Sequence, residues 1–172
     1  MLNKKIVKLD RTRSLVLMGL FVGLGTITSH LFWFPAGVAR AFPVQHAINV
    51  LAGIILGPAP AVLVAFTIGL LRNILGLGTI LAFPGGMIGA FLAGWLYQRT
   101  GDDVVALFGE VLGTGLIGSL VSVPIANFLL GKSATAFFFI IPFTISSFAG
   151  SIIAYLLLKT LRYYFTLPGK RL

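Results

Sequence analysis

The chain has 172 residues, of which 58% are hydrophobic and 10% charged, with a mean hydropathy of +1.03. A soluble domain carries roughly a quarter charged residues, and a globule this small cannot hide so much apolar surface from water, so composition excludes a water-soluble fold and calls for lipid as solvent. The net charge of +9, from 13 basic and four acidic residues, would suggest nucleic acid in a soluble protein. Here the basic residues fall in loops and tails, where they set membrane topology, and no nucleic-acid partner is expected.

A helix spanning a bilayer needs about 20 apolar residues. A basic tail, residues 1–13, leads into the first such run, Ser14–Phe34. The pairing of a basic tail with an apolar run resembles a signal peptide, but no soluble domain follows, so the run is expected to be a retained helix. A loop, Pro35–Val44, carries Arg40 between two prolines. Gln45–Leu56 is a short helix stopped by Gly57-Pro58, and Ala59–Ile74 is the next, ending at the turn Gly76-Leu77-Gly78. Pro84 opens a fourth helix that runs to Tyr97, since proline suits a first helical turn. After the polar loop Arg99–Asp103, helices are expected from about Val104 to Leu130 and from about Thr135 to Tyr164. The sequence thus predicts an all-α integral membrane protein: six transmembrane helices within residues 14–166, followed by a short tail, 167–172.

Six spans put both termini on one side. That side receives Lys4, Lys5, Lys8, Arg11, Arg13, Arg99, Lys159, Arg162, Lys170 and Arg171, and the other side Arg40, Arg72 and Lys132. The bias makes both termini cytoplasmic. The location is then a prokaryotic cytoplasmic membrane, crossed several times.

Uncharged polar residues gather toward the outward ends of the helices. Gln45 and Asn49 are four apart and His46 and Asn49 three apart, so each pair shares a helix face. Arg72 and Asn73 end the third helix, Phe83 opens the fourth, Asn127 lies near the end of the fifth, and Phe34 and Phe42 add aromatic surface, so that all of them could line an outward-facing pocket. From this set Gln45, His46, Asn49, Asn73, Phe83 and Asn127, with Trp33 as aromatic surface and Ser147 on the sixth helix, are the candidate substrate-binding residues: aromatic walls with a few donors and acceptors, as small-molecule sites have. Interfacial anchoring by Trp33 and Arg72, and helix capping by the asparagines, remain alternatives. No cluster of buried cations is foreseen, which argues against a phosphorylated ligand. The absence of an outer Asp or Glu argues against a cationic one.

Glu110 falls about seven residues into the fifth helix, where a charge is expensive and marks either function or interhelical structure. Its depth disfavours direct contact with a ligand. Small residues recur every four positions: Gly19 and Gly23 on the first helix; Gly86, Ala90 and Gly94 on the fourth; Ser146, Gly150 and Ala154 on the sixth. Such spacing makes a helix-packing surface. On the fourth and sixth helices the expected partner is internal; on the first, an internal helix and an external protein are both open.

Enzyme signatures are missing: no H-E-x-x-H, G-x-S-x-G or phosphate-binding G-x-x-x-x-G-K-[ST] occurs. With no Cys, two His and four acidic residues, neither a disulfide nor a metal site is expected, and the chain is not expected to be an enzyme.

The stretch Phe42-Pro43-Val44-Gln45-His46-Ala47-Ile48-Asn49-Val50-Leu51-Ala52-Gly53, followed by Leu56-Gly57-Pro58, Arg72-Asn73, Gly78-Thr79, Ala82-Phe83-Pro84-Gly85 and Gly89-Ala90, resembles the ThiW family. So do Gly109–Gly115 and Pro124. These proteins are the substrate-binding S components of energy-coupling factor (ECF) vitamin transporters. The resemblance implies a six-helix S-component fold with a pocket near the outer face, and a substrate of the thiamine pathway, the thiazole precursor hydroxyethylthiazole. It implies as partners a transmembrane coupling protein and two cytoplasmic ATPases that use the ATP, with no cofactor bound by this chain. It also implies docking of the coupling protein on small residues of the first helix. The family pattern there is Ala-x-x-x-Ala; here the spacing is met by Gly19 and Gly23. Another small vitamin such as thiamine, or a structural membrane subunit without a ligand, is the alternative.

Overall fold

A computed structural model describes residues 9–36, 39–131, 133 and 135–166. Most of the expected N-terminal tail, the whole of the tail 167–172, and Lys132 lie outside the described residues.

Helix α1 (Arg11–Leu31) begins three residues earlier than expected because Asp10 caps it, its Oδ1 accepting from Arg13 N at 2.8 Å. The segment after α1 is not the irregular loop foreseen. Strands β1 (Phe34–Ala36) and β2 (Ala39–Ala41) pair antiparallel, Phe34 opposite Ala41 and Ala36 opposite Ala39. Helix α2 (Pro43–Leu56) opens on a proline and is buried along almost its whole length. Gly57, at φ +90°, turns the chain directly into α3 (Pro58–Ile74). A side chain on Gly57 would be strained there and would also press on Gln98 Nε2 at 2.8 Å.

Helix α4 (Ala82–Thr100) ends on the left-handed Gly101, and Asp102 caps the next helix through Val104 N at 2.8 Å. Helix α5 (Asp103–Leu129) is continuous but not uniform. Its windings at Val111–Gly118 and Ile125–Leu129 are π-helical, the second following Pro124, which lacks the N–H an α-helix needs. Helix α6 (Ala136–Thr166) carries Pro142.

Helix α2 is the centre of the bundle, packed on α1, α3, α4 and α6. Glycines bring the backbones together. A methyl group on Gly53 of α2 would meet Gly94 N at 2.7 Å, and one on Gly113 of α5 would meet Gly89 Cα at 2.7 Å. On α6, Gly150 lies against the carbonyl of Pro43. The small-residue rows of α4 and α6 therefore serve internal packing, where backbone proximity supplies van der Waals contact that lipid exclusion does not.

The outer faces are apolar. Leu15, Val16, Leu20, Leu24 and Ile27 of α1 are all exposed, as are Phe137, Ile141, Ile145, Phe148 and Ile152 of α6. Such faces have a suitable solvent only in lipid. Helices α1, α5 and α6 are long and apolar enough to cross a membrane, while α2 and α3 are apolar but shorter, at 14 and 17 residues. The chain is an all-α membrane protein, and among the described residues three helices have full spanning length and composition.

Two polar clusters mark opposite ends of the bundle. At one, Arg162 near the end of α6 forms an ion pair with Asp103 at the start of α5, its Nη2 donating to Oδ1 at 2.7 Å. At the other, Phe42 N donates to Ser146 Oγ at 2.8 Å, tying the start of α2 to the first half of α6.

Candidate functional site

At the end where α2 begins, a cavity of about 470 Å3 opens between helices. Phe42, Gln45 and His46 form one wall and Arg72 with the turn Gly76–Thr79 another. Gly85, Gly86 and Thr114 close the floor, and Phe138, Phe139, Phe143 and Ser146 of α6 face them. The size lies within the range of small-molecule sites, about 300–1,000 Å3.

Two buried ionisable residues organise this end. Glu110 is fully buried, and its Oε1 accepts from His46 Nδ1 at 2.7 Å and from Asn49 Nδ2 at 3.1 Å. The Thr114 hydroxyl lies 2.9 Å from the same oxygen and 2.9 Å from the carbonyl of Gly85, and can donate to one at a time. Donors from α2 and α5 thus converge on a single carboxylate oxygen. With Nδ1 committed to Glu110, Nε2 is the nitrogen of His46 available to a ligand, an acceptor when the ring is neutral.

Arg72 is 2% exposed. Its Nη1 donates to Gln45 Oε1 and its Nη2 to the carbonyl of Leu77 at 3.3 Å, while Cζ stands 3.7 Å from the Phe42 ring centroid. The turn after α3 makes this possible: with Gly76 at φ +70°, Leu77 N and Gly78 N both fold back onto the carbonyl of Arg72. Of the two readings of this arginine, pocket lining and interfacial anchoring, its burial in the cavity wall fits the first. The chain wraps over Arg72 and encloses it in the cavity wall.

Of the candidate binding residues, the structure brings Gln45 and His46 to the cavity. Asn49 sits one layer behind, fully buried, donating also to Gly86 O at 3.2 Å, so it positions Glu110 and does not line the space. The remaining five lie elsewhere. Trp33 is 44% exposed beside the hairpin and is capped by Arg40, whose Cζ is 4.2 Å from its ring. Asn73 folds its amide back onto Gly69 O at 2.8 Å. Phe83 turns toward Phe66, ring centroids 5.4 Å apart, and covers Gly69. Asn127 is exposed on the last turn of α5. Ser147 returns its hydroxyl to Phe143 O at 2.8 Å, leaving its neighbour Ser146 at the cavity. Helical phase turns five of these residues away from the cavity.

Sequence reasoning did not select Thr114, Ser146 or the phenylalanines of α6. The aromatic run at the start of α6 was the signal for the phenylalanines. Thr114 carries little signal of its own, because its cavity position depends on the π-helical stretch it occupies, a device that re-aims side chains and recurs at functional sites.

A comparison with curated proteins found no match. The profile of thiamine-precursor transporter proteins (ThiW) matches residues 15–164, a span that takes in every helix, the hairpin and all the residues around the cavity, and the chain belongs to that family.

Proposed function

We propose that the chain is the substrate-binding S component of an energy-coupling factor importer and that it takes up the thiazole moiety of thiamine, hydroxyethylthiazole. The family supports transport of a thiamine precursor. The observation that carries the finer reading is the cavity itself: Phe42, Phe138, Phe139 and Phe143 offer ring faces and edges, while Gln45, His46 and Thr114 offer a few neutral donors and acceptors. A small heteroaromatic ring with one hydroxyl needs both. Thiamine itself is a weaker candidate, because its cationic thiazolium would meet Arg72 and Arg40 in the same wall. A structural subunit without ligand leaves the cavity and its polar wall unexplained.

In this reading six helices cross the cytoplasmic membrane of a prokaryote, the cavity faces outward, and both chain ends are cytoplasmic. The short α2 is then shielded from lipid by its neighbours, while α3 turns Leu63, Phe66, Leu70 and Ile74 outward. A transmembrane coupling protein docks on Gly19 and Gly23, where a methyl group added to either glycine would meet nothing within 4 Å. Two cytoplasmic ATPases supply the energy, and this chain binds no nucleotide or other cofactor. Mass spectrometry of the small molecule retained after purification in mild detergent tests the reading. A thiazole alcohol, or measurable binding when it is added back, is expected. A pyrimidine or an intact vitamin in its place would overturn the substrate, and no binding of any thiamine precursor would overturn the function.

A further inference from the structure

We propose that Arg72 forms an anion subsite in this cavity, so that the precursor is bound preferentially with an acidic group, a phosphate monoester or a carboxylate, on its side arm. This rests on the reading that the cavity is the substrate site.

The reasoning begins with charge. The chain has four acidic residues, all of them described, and none pairs with Arg72. Asp10 pairs with Arg13, Asp103 with Arg162, Glu110 with His46, and Asp102 caps α5. Arg72 is nonetheless buried, and the groups around it are neutral: an amide oxygen, a backbone carbonyl and a phenyl ring. A buried cation without a counter-ion is costly, and such charges are normally paired.

Geometry points the same way. A guanidinium has five N–H donors; Gln45 takes one from Nη1 and Leu77 one from Nη2, which leaves one N–H on each for a ligand, while Nε is enclosed without a partner. The planar fork of arginine matches the oxygens of a phosphate or carboxylate. Arg40, exposed and lining the same cavity, adds a second positive charge where a ligand enters. Glu110 does not line the cavity: its carboxylate is bonded behind the wall by His46, Asn49 and Thr114. The aromatic part of the ligand then lies along Phe138, Phe139 and Phe143, with the acidic group at Arg72.

The test is a binding titration on the full chain at low ionic strength, using hydroxyethylthiazole, its phosphate ester and the corresponding thiazolylacetic acid, with the hydroxymethylpyrimidine alcohol and its phosphate beside them. At least one acid is expected to bind about tenfold or more tightly than the alcohol, and which acid wins identifies the source of the anion. Arg72→Gln should bring the acids and the alcohol together, and Arg72→Lys should keep part of the preference. If wild type binds the alcohol as tightly as both acids, the anion subsite is wrong and the thiazole reading stands. That wild-type ratio decides the matter even if the variants fail to fold. If only the hydroxymethylpyrimidine alcohol or its phosphate binds, the thiazole reading falls and the ratio between those two judges the subsite. If none of the five compounds binds, both fail.

Discussion

Glu110 and Arg72 are both buried at the same end of the bundle, yet they are held in opposite ways. Glu110 takes donors from its own chain on one oxygen, with His46, Asn49 and Thr114 converging on Oε1, while its Oε2 is buried without a partner. Arg72 is enclosed by neutral acceptors and an aromatic ring, with Nε unpartnered. The carboxylate lies where α2, α4 and α5 meet and behaves as a joint of the fold. The guanidinium lies in the wall of a cavity and has donors to spare. A carboxylate outside the cavity that ties side chains of two helices together is fastening; a guanidinium in a cavity wall that meets only neutral groups is a place for an anion to bind.

The sharpest way to break this comparison is to remove the carboxylate. Glu110→Ala leaves His46, Asn49 and Thr114 without their shared acceptor and should lower stability by about 3–5 kcal/mol, the usual consequence of breaking a buried pair. Glu110→Gln keeps an acceptor oxygen and should lose clearly less. Thermal melts of both in detergent check this, and an unchanged melting temperature for Glu110→Ala would show that Glu110 is not a joint.

A smaller loss is expected at the glycine beside it. A methyl group on Gly89 would collide with Thr114 Oγ1 and stand 2.5 Å from Glu110 Oε2. Gly89→Ala should therefore destabilise by about 1–3 kcal/mol, as overpacking does. Gly86→Ala is the control on the same helix, since its nearest neighbour is the flexible end of Gln45 at 3.3 Å. Equal melts for the two would mean that the α4–α5 contact is looser than the structure has it.

The next contrast concerns binding. His46→Ala removes a cavity side chain and should weaken substrate affinity about tenfold, equivalent to about 1.4 kcal/mol. Asn73→Ala removes an amide already spent on Gly69 O, and affinity should stay within about twofold. Equilibrium titration separates the two, and equal losses would mean that the substrate sits nearer the end of α3.

These contrasts follow the limits of the sequence. The six helices were legible because each apolar run is punctuated by local chemistry: Gly57-Pro58, the glycine turn after α3, and Asp102. The hairpin 34–41 was not, because its strands are three residues each and carry no alternation to read. Depth along a helix was readable, which put Gln45, His46 and Asn73 at one end. Phase around it was readable only for α2, whose polar residues share a face. The burial of Arg72 was illegible for a different reason: it needs Gln45 from α2, Phe42 from before α2 and Leu77 from a turn, and no short window contains all three.

The smallest effect on stability is expected at Gly19 and Gly23, and there the comparison turns outward. Internal glycines of this bundle touch backbone: Gly53 meets Gly94, and Gly113 meets Gly89. On α1 itself, Gly25 is the internal one, a methyl group there reaching Ile68 Cγ1 at 3.0 Å. Gly19 and Gly23 face open space, so no helix among the described residues fills the shallow groove they leave, and its filling by a neighbour within the chain is set aside. Gly19→Leu or Gly23→Leu should thus change stability by no more than about 0.5 kcal/mol, as surface substitutions do, with leucine also the better helix former. Substrate binding should be unchanged, because the cavity lies toward the other end of α1. Uptake by cells should fall sharply, because a leucine side chain would hold off a partner helix that needs close backbone approach. The measurements are a melt, a titration and uptake of labelled precursor on the same two variants. Normal uptake with normal folding would remove Gly19 and Gly23 from the docking surface. Loss of folding and binding together would mean that α1 packs internally after all.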